Sequence, residues 1–101
     1  MLKRKLILST EAKSDLDNIE DFVSSLYRKE SGIKFVDKLY LEIVPLSYSA
    51  GAFPKSCFST AQKIHPEAKT LSIMKHCWTV VFHIDGDYVI VDRILPSSTM
   101  A

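Results

Sequence analysis

The hydrophobic period of this chain changes once, and that change constrains the fold more than any other feature. Ala12, Leu16, Ile19, Val23 and Leu26 recur at spacings of four and three, with Glu11, Lys13, Asp15, Asp17, Asp21 and Ser25 between them. This is the stripe of an amphipathic helix, and it predicts one over roughly residues 10 to 28. Phe35 or Val36, Leu39, Ile43 and Leu46 repeat the pattern after a polar stretch, Arg28 to Gly32, read as the break between two antiparallel helices. Pro45 lacks an amide donor and crowds the carbonyl four residues back, so the second helix should kink or stop near Val44.

Beyond Thr70 the pattern is different. Thr70 to Lys75, Trp78 to Ile84 and Tyr88 to Leu95 are rich in β-branched and aromatic residues, which suit a pleated, half-buried surface. Asp85-Gly86 between the last two runs is a hairpin signal, because a tight turn of the kind that joins twisted strands needs positive φ. An Asp85-Gly86 turn places Phe82 opposite Val89, Val80 opposite Val91, Trp78 opposite Arg93 and His83 near Tyr88. Both faces of that hairpin carry apolar residues, so one packs on the helices and the other is only partly covered by the rest of the chain. Lys3 to Leu8 is a further short strand, closed by Ser9-Thr10 as helix-capping residues. Residues 47 to 69, with Gly51, Pro54 and Pro66 and no sustained period, read as a long irregular connection.

The expected architecture is α+β, an antiparallel sheet against an N-terminal helical hairpin in the order β-α-α-β-β-β, with the first strand beside the last ones. With 101 residues, 47% of them hydrophobic, the chain supports one domain over 1–101 and one core. Thirteen Lys and Arg against twelve Asp and Glu exclude a whole-molecule basic field, so any contact with nucleic acid is local. Cys57 and Cys77 have neither disulfide-framework nor metal-ligand spacing, and no metal or other cofactor is expected. They read as free thiols of a reducing cytosol. The basic start, Met1-Leu2-Lys3-Arg4-Lys5, precedes only Leu6-Ile7-Leu8, too short for a signal peptide or a membrane span. A cytoplasmic protein is the expectation.

The sequence resembles the RelE/ParE superfamily of toxins from bacterial toxin-antitoxin modules, also called plasmid stabilisation proteins. Leu8-Ser9-Thr10-Glu11-Ala12-Lys13-Ser14-Asp15-Leu16-Asp17-Asn18-Ile19 is similar to that family's first-helix pattern, with Thr10 where Pro is usual. Tyr27 to Gly32 followed by Lys34-Phe35-Val36-Asp37-Lys38-Leu39 resembles its second-helix opening. Trp78 to Leu95, ending Arg93-Ile94-Leu95, looks like its closing hairpin. The resemblance implies a growth-inhibiting toxin neutralised by a cognate antitoxin, and it offers two activities. RelE-like members cut messenger RNA on the ribosome with a cluster of cations; ParE-like members poison DNA gyrase without known hydrolytic residues. Thr70, Ser72 and Thr79 stand where the nuclease branch carries Lys or Arg, and Ser97, Ser98 and Thr99 where an Arg follows the last strand. Phosphodiester cleavage needs cations and a proton carrier, so the resemblance points to the ParE-like, binding activity. Pro96 departs from the His common after Arg-Ile-Leu in that branch. The alternatives are an endoribonuclease using Lys75, His76 and Arg93, and a member that only binds its antitoxin.

The candidate target- or antitoxin-binding residues are Lys69, Lys75, His76, Trp78, His83 and Arg93. Residues 55 to 76 hold Lys55, Lys63, Lys69 and Lys75 against Glu67 alone, which fits a binding surface or a solvated loop with a lysine-guarded edge strand. Arg93 in an apolar strand demands a partner, either Trp78 by stacking or a carboxylate that the pattern does not identify. No carboxylate at a fixed spacing orients His83 or His76, which speaks against acid-base chemistry there. The acidic residues of the first helix, Asp15, Asp17, Glu20 and Asp21, read as solvated.

Overall fold

A computed structural model describes residues 3–100; Met1 and Leu2 of the basic start, and Ala101, lie outside the described residues. The elements are β1 (Lys5–Leu8), α1 (Thr10–Leu26), α2 (Lys29–Ile43), α3 (Leu46–Ser49), a 3-10 turn (Ala50–Ala52), α4 (Ser59–Ile64), β2 (Lys69–Ile73), β3 (Trp78–Asp85), β4 (Tyr88–Pro96) and a closing 3-10 turn (Ser97–Thr99). The expected α+β order stands, with α1 and α2 against one face of a four-stranded sheet in the order β1-β4-β3-β2.

The β2-β3-β4 part of that sheet is antiparallel, whereas β1 runs parallel to β4, so the whole sheet is mixed. The junction between β1 and α1 dictates this. The Ser9 amide donates to the Val91 carbonyl (2.9 Å) and its hydroxyl to the Asp92 carbonyl (2.8 Å), while the same Oγ accepts the Ala12 amide as the cap of α1 (3.0 Å). One serine thus starts the helix and aligns β1 along β4.

Three local expectations are corrected. The polar stretch 28–32 is not the interhelical break: Lys29 to Gly32 are already helical, and Gly32 is buried where α2 crosses α1. A Cβ there would lie 2.1 Å from Ser24 Oγ and 2.5 Å from the Glu20 carbonyl, so this glycine permits close packing rather than ending a helix. Residues 47 to 69 are not one irregular loop but hold α3, the 3-10 turn and α4, each too short to show a hydrophobic period. In the hairpin, Gly86 and Asp87 form the turn, Gly86 at φ 57°, and Asp85 pairs with Tyr88. Phe82 therefore faces Val91, and His83 faces Ile90 rather than Tyr88. A bulge then inserts Asp92, so that Val81 faces Arg93 and Trp78 faces Pro96. The expected pairing of Trp78 with Arg93 does not occur.

The main core lies between sheet and helices, with Leu39, Ile43, Val80, Phe82, Val89 and Val91 fully buried. Helix α2 ends at Ile43 and the backbone stays right-handed through Val44 and Pro45 into α3, so Pro45 steps the helix where the sequence predicts. On the other sheet face a smaller cluster of Ala61, Ala68 and Val81, flanked by Ile64, Leu95 and Met100, covers part of the surface.

A candidate partner-binding groove

Strand β1 is hydrogen-bonded into the sheet on one edge only. Beside its other edge runs α2, and between them lies an open groove of about 650 Å³ lined by Lys3 to Ile7, Tyr40, Val44 and Ser47. Its mouth is held in shape by the Arg4 amide, which donates to the Ser47 carbonyl at 2.7 Å. Tyr40 and Val44, both 39% exposed, give it an apolar wall. Lys3 places its ammonium 5.6 Å from the centre of the Tyr48 ring, and the Arg4 guanidinium lies against Gly51, so the rim is cationic. An open strand edge beside apolar side chains and three cations is suited to an extended or helical peptide carrying acidic and apolar residues.

The six candidate residues are not gathered around this groove. Lys69 Nζ donates to the Phe53 carbonyl, a structural contact that fastens the chain before α4 to the start of β2. Lys75 and His76 project from the β2–β3 turn, where Met74, Lys75 and His76 all have positive φ of 52°, 55° and 67°. That turn is braced by Glu42 of α2, whose carboxylate accepts the Met74 amide at 3.2 and 3.3 Å. Trp78 and Arg93 line a smaller groove of about 250 Å³ together with Asn18, Ile19 and Phe22 of α1.

Two carboxylates that the sequence pattern did not identify hold the side chains of Arg93 and His83. Asp15, expected to be solvated, accepts from Arg93 Nε (2.8 Å) and Nη2 (3.1 Å) and from the Ile94 amide (2.9 Å), with its side chain 12% exposed. This hydrogen-bonded pair raises the Arg93 pKa against the opposing effect of partial burial, and keeps the guanidinium charged and occupied. Asp92, delivered by the bulge, places Oδ2 2.6 Å from His83 Nδ1, so His83 does have an orienting carboxylate. His83 also stacks on His65, ring centres 3.7 Å apart and planes within 5°. The Asp15 contact spans 78 residues of chain and the Asp92 contact depends on a bulge in the β3–β4 hairpin, which is why local spacing did not show them. The basic triplet Lys3-Arg4-Lys5 was visible, but only as a possible leader.

Cys57 and Cys77 are free and exposed. Among the described residues no group of three or more His, Cys, Asp or Glu is placed to hold a metal ion, and no helix is long and apolar enough to cross a membrane.

No protein-family model and no curated protein matches the chain. Among solved structures it is similar to a chain described as the chromosomal ParDE TA system from P. aeruginosa, with a TM-score of 0.78 and 22% identity over 93% of this chain and 96% of that one. A likeness of this TM-score over nearly the whole of both chains shows that the two share one fold.

Proposed function

We propose that this protein is the toxin of a toxin-antitoxin module, ParE-like in acting by binding, with DNA gyrase as its target and a cognate antitoxin as its neutralising partner. The full-length likeness to the ParDE chain carries this reading. The groove between β1 and α2 supports the partner half of it, since its cationic rim and apolar wall complement an acidic, partly disordered segment that orders on binding. The state of Arg93 supports binding over cleavage. A guanidinium committed to Asp15 is poorly placed to meet charge developing on a phosphate, and Lys75 and His76 stand on a separate turn.

Expression of the chain alone in a bacterium should arrest growth, and the adjacent small reading frame should restore it. Purified protein should inhibit supercoiling by gyrase and leave messenger RNA on translating ribosomes intact. Normal growth at confirmed soluble expression would leave only the antitoxin-binding role. Codon-positioned cleavage lost in Lys75→Ala or Arg93→Ala would replace the gyrase reading with the nuclease one.

A further inference from the structure

We propose that the β2–β3 turn is the element with which this protein touches its target, and that the surface it fits is a protein surface bearing carboxylates. The inference rests on the reading above, a toxin that acts by binding, and names its contacting element. Met74, Lys75 and His76 all stand in the left-handed region, at φ 52°, 55° and 67°, and no other described residue except Gly86 has positive φ. Glycine takes up that conformation freely, as Gly86 does in the β3–β4 turn, whereas a side chain there brings its Cβ too close to the following carbonyl oxygen. Three consecutive side chains are kept where glycine would be easier. Such conformations persist only where the surrounding structure over-determines them.

The surroundings of this turn do so from several sides. The Cys77 amide closes it on the Met74 carbonyl (3.2 Å), the Cys77 carbonyl accepts the Ser97 amide (3.0 Å), and the Met74 side chain packs, half-buried, against the main core. From the helical layer the Glu42 carboxylate accepts the Met74 amide. Glu42 lies in the last turn of α2, where the helix dipole disfavours a negative charge, so it is the turn and not the helix that this carboxylate serves. Lys75 and His76 are exposed, and among the described residues neither side chain has a hydrogen bond, an ion pair or a ring contact. The backbone beneath them is fixed while their own polar groups stay free. A partner therefore meets a contact that is already ordered.

The chemistry of the two side chains selects that partner. A lysine ammonium and an imidazole N–H side by side are donors suited to carboxylates. A nucleic acid would require a longer run of cations to follow its phosphates, and the neighbours do not supply one: Lys55 is paired with Glu67, and Lys69 is turned to the Phe53 carbonyl. The turn joins the two strands farthest from β1, so it leaves the β1–α2 groove to the antitoxin.

Inhibition of gyrase supercoiling and growth arrest, each read beside thermal unfolding of the full chain, test this. Lys75→Gly with His76→Gly should raise the concentration needed for half-inhibition by about tenfold or more, yet unfold at the same or a higher temperature, because strain is relieved as the contact is lost. Glu42→Ala leaves both side chains in place and should weaken inhibition by about threefold or more; Glu42→Gln, which keeps an acceptor for the Met74 amide, should restore it. Full inhibition by the double-glycine variant, a fall of its stability together with its activity, or Glu42→Gln as weak as Glu42→Ala would each overturn the proposal. So would binding of the native chain to duplex DNA alone that the double variant loses, since the partner would then be a nucleic acid. A native chain that arrests growth without inhibiting gyrase removes gyrase from the reading above and leaves the same variants to be scored on growth arrest; one that does neither overturns both.

Discussion

Asp15 accepts three hydrogen bonds from β4 through one carboxylate, and it is the residue on which α1 and the sheet are registered. Its removal leaves the Ile94 amide and the Arg93 guanidinium without their acceptor, and a part-buried group so stranded costs more than the bond itself contributed. Arg93 is the more exposed partner, with 38% of its side chain accessible, and water can solvate what its loss leaves behind only in part at Asp15. Asp15→Ala should therefore cost about 2–4 kcal/mol and Arg93→Ala about 1–2 kcal/mol, read as midpoint shifts at constant m-value in urea unfolding. Equal losses would mean that Asp15 serves the guanidinium alone and that its bond to Ile94 adds nothing. The guanidinium is charged at any accessible pH, and the pair with Asp15 raises its pKa further, so the contact stays ionic on the Arg93 side.

At the scale of elements, the helical hairpin depends on Gly32. Alanine is the better helix former by about 1 kcal/mol, and on propensity alone Gly32→Ala should stabilise α2. The opposite outcome is expected. The new methyl would stand 2.5 Å from the Glu20 backbone carbonyl, which cannot rotate away, so the helices must separate at a cost of about 1–3 kcal/mol beyond the propensity gain. Thermal unfolding of Gly32→Ala and Gly32→Ser checks this, with serine the worse of the two. The same glycine shows what local patterns reveal and what they hide. The spacing of Leu16, Ile19 and Leu39 reported which faces of α1 and α2 are buried, and the strand runs from Trp78 and Tyr88 were placed to within a residue or two. Gly32 read as a stop because a helical glycine and a loop glycine look alike until the neighbouring helix is present. Asp92 read as an ordinary strand residue because a bulge has no composition of its own. Lys69 drew attention as part of a basic stretch and Arg93 as a cation in an apolar strand, and the structure shows each bonded to a group more than fifteen residues away.

The whole molecule carries a net charge of only +1, so long-range attraction to an acidic partner must arise from where its cations stand. Two regions compete for that role: the rim of the β1–α2 groove with Lys3 and Lys5, and the segment from Lys55 to Lys75. The groove offers what the other lacks, an unpaired strand edge beside the partly exposed Tyr40 and Val44, where charge attraction can be followed by burial of apolar surface. Its like charges also oppose edge-to-edge pairing of two copies of this chain, which leaves the edge available to a partner of opposite sign. Cations at a rim act mainly on association, whereas an apolar wall acts mainly on dissociation. For binding to the antitoxin proposed above, Lys3→Glu with Lys5→Glu should slow association by about tenfold at low salt, an effect that shrinks as salt screens it. Tyr40→Ala should leave association nearly unchanged and speed dissociation. If Lys55→Glu with Lys75→Glu slowed association instead, and the groove variants did not, the antitoxin would be approaching from the β2 side of the sheet.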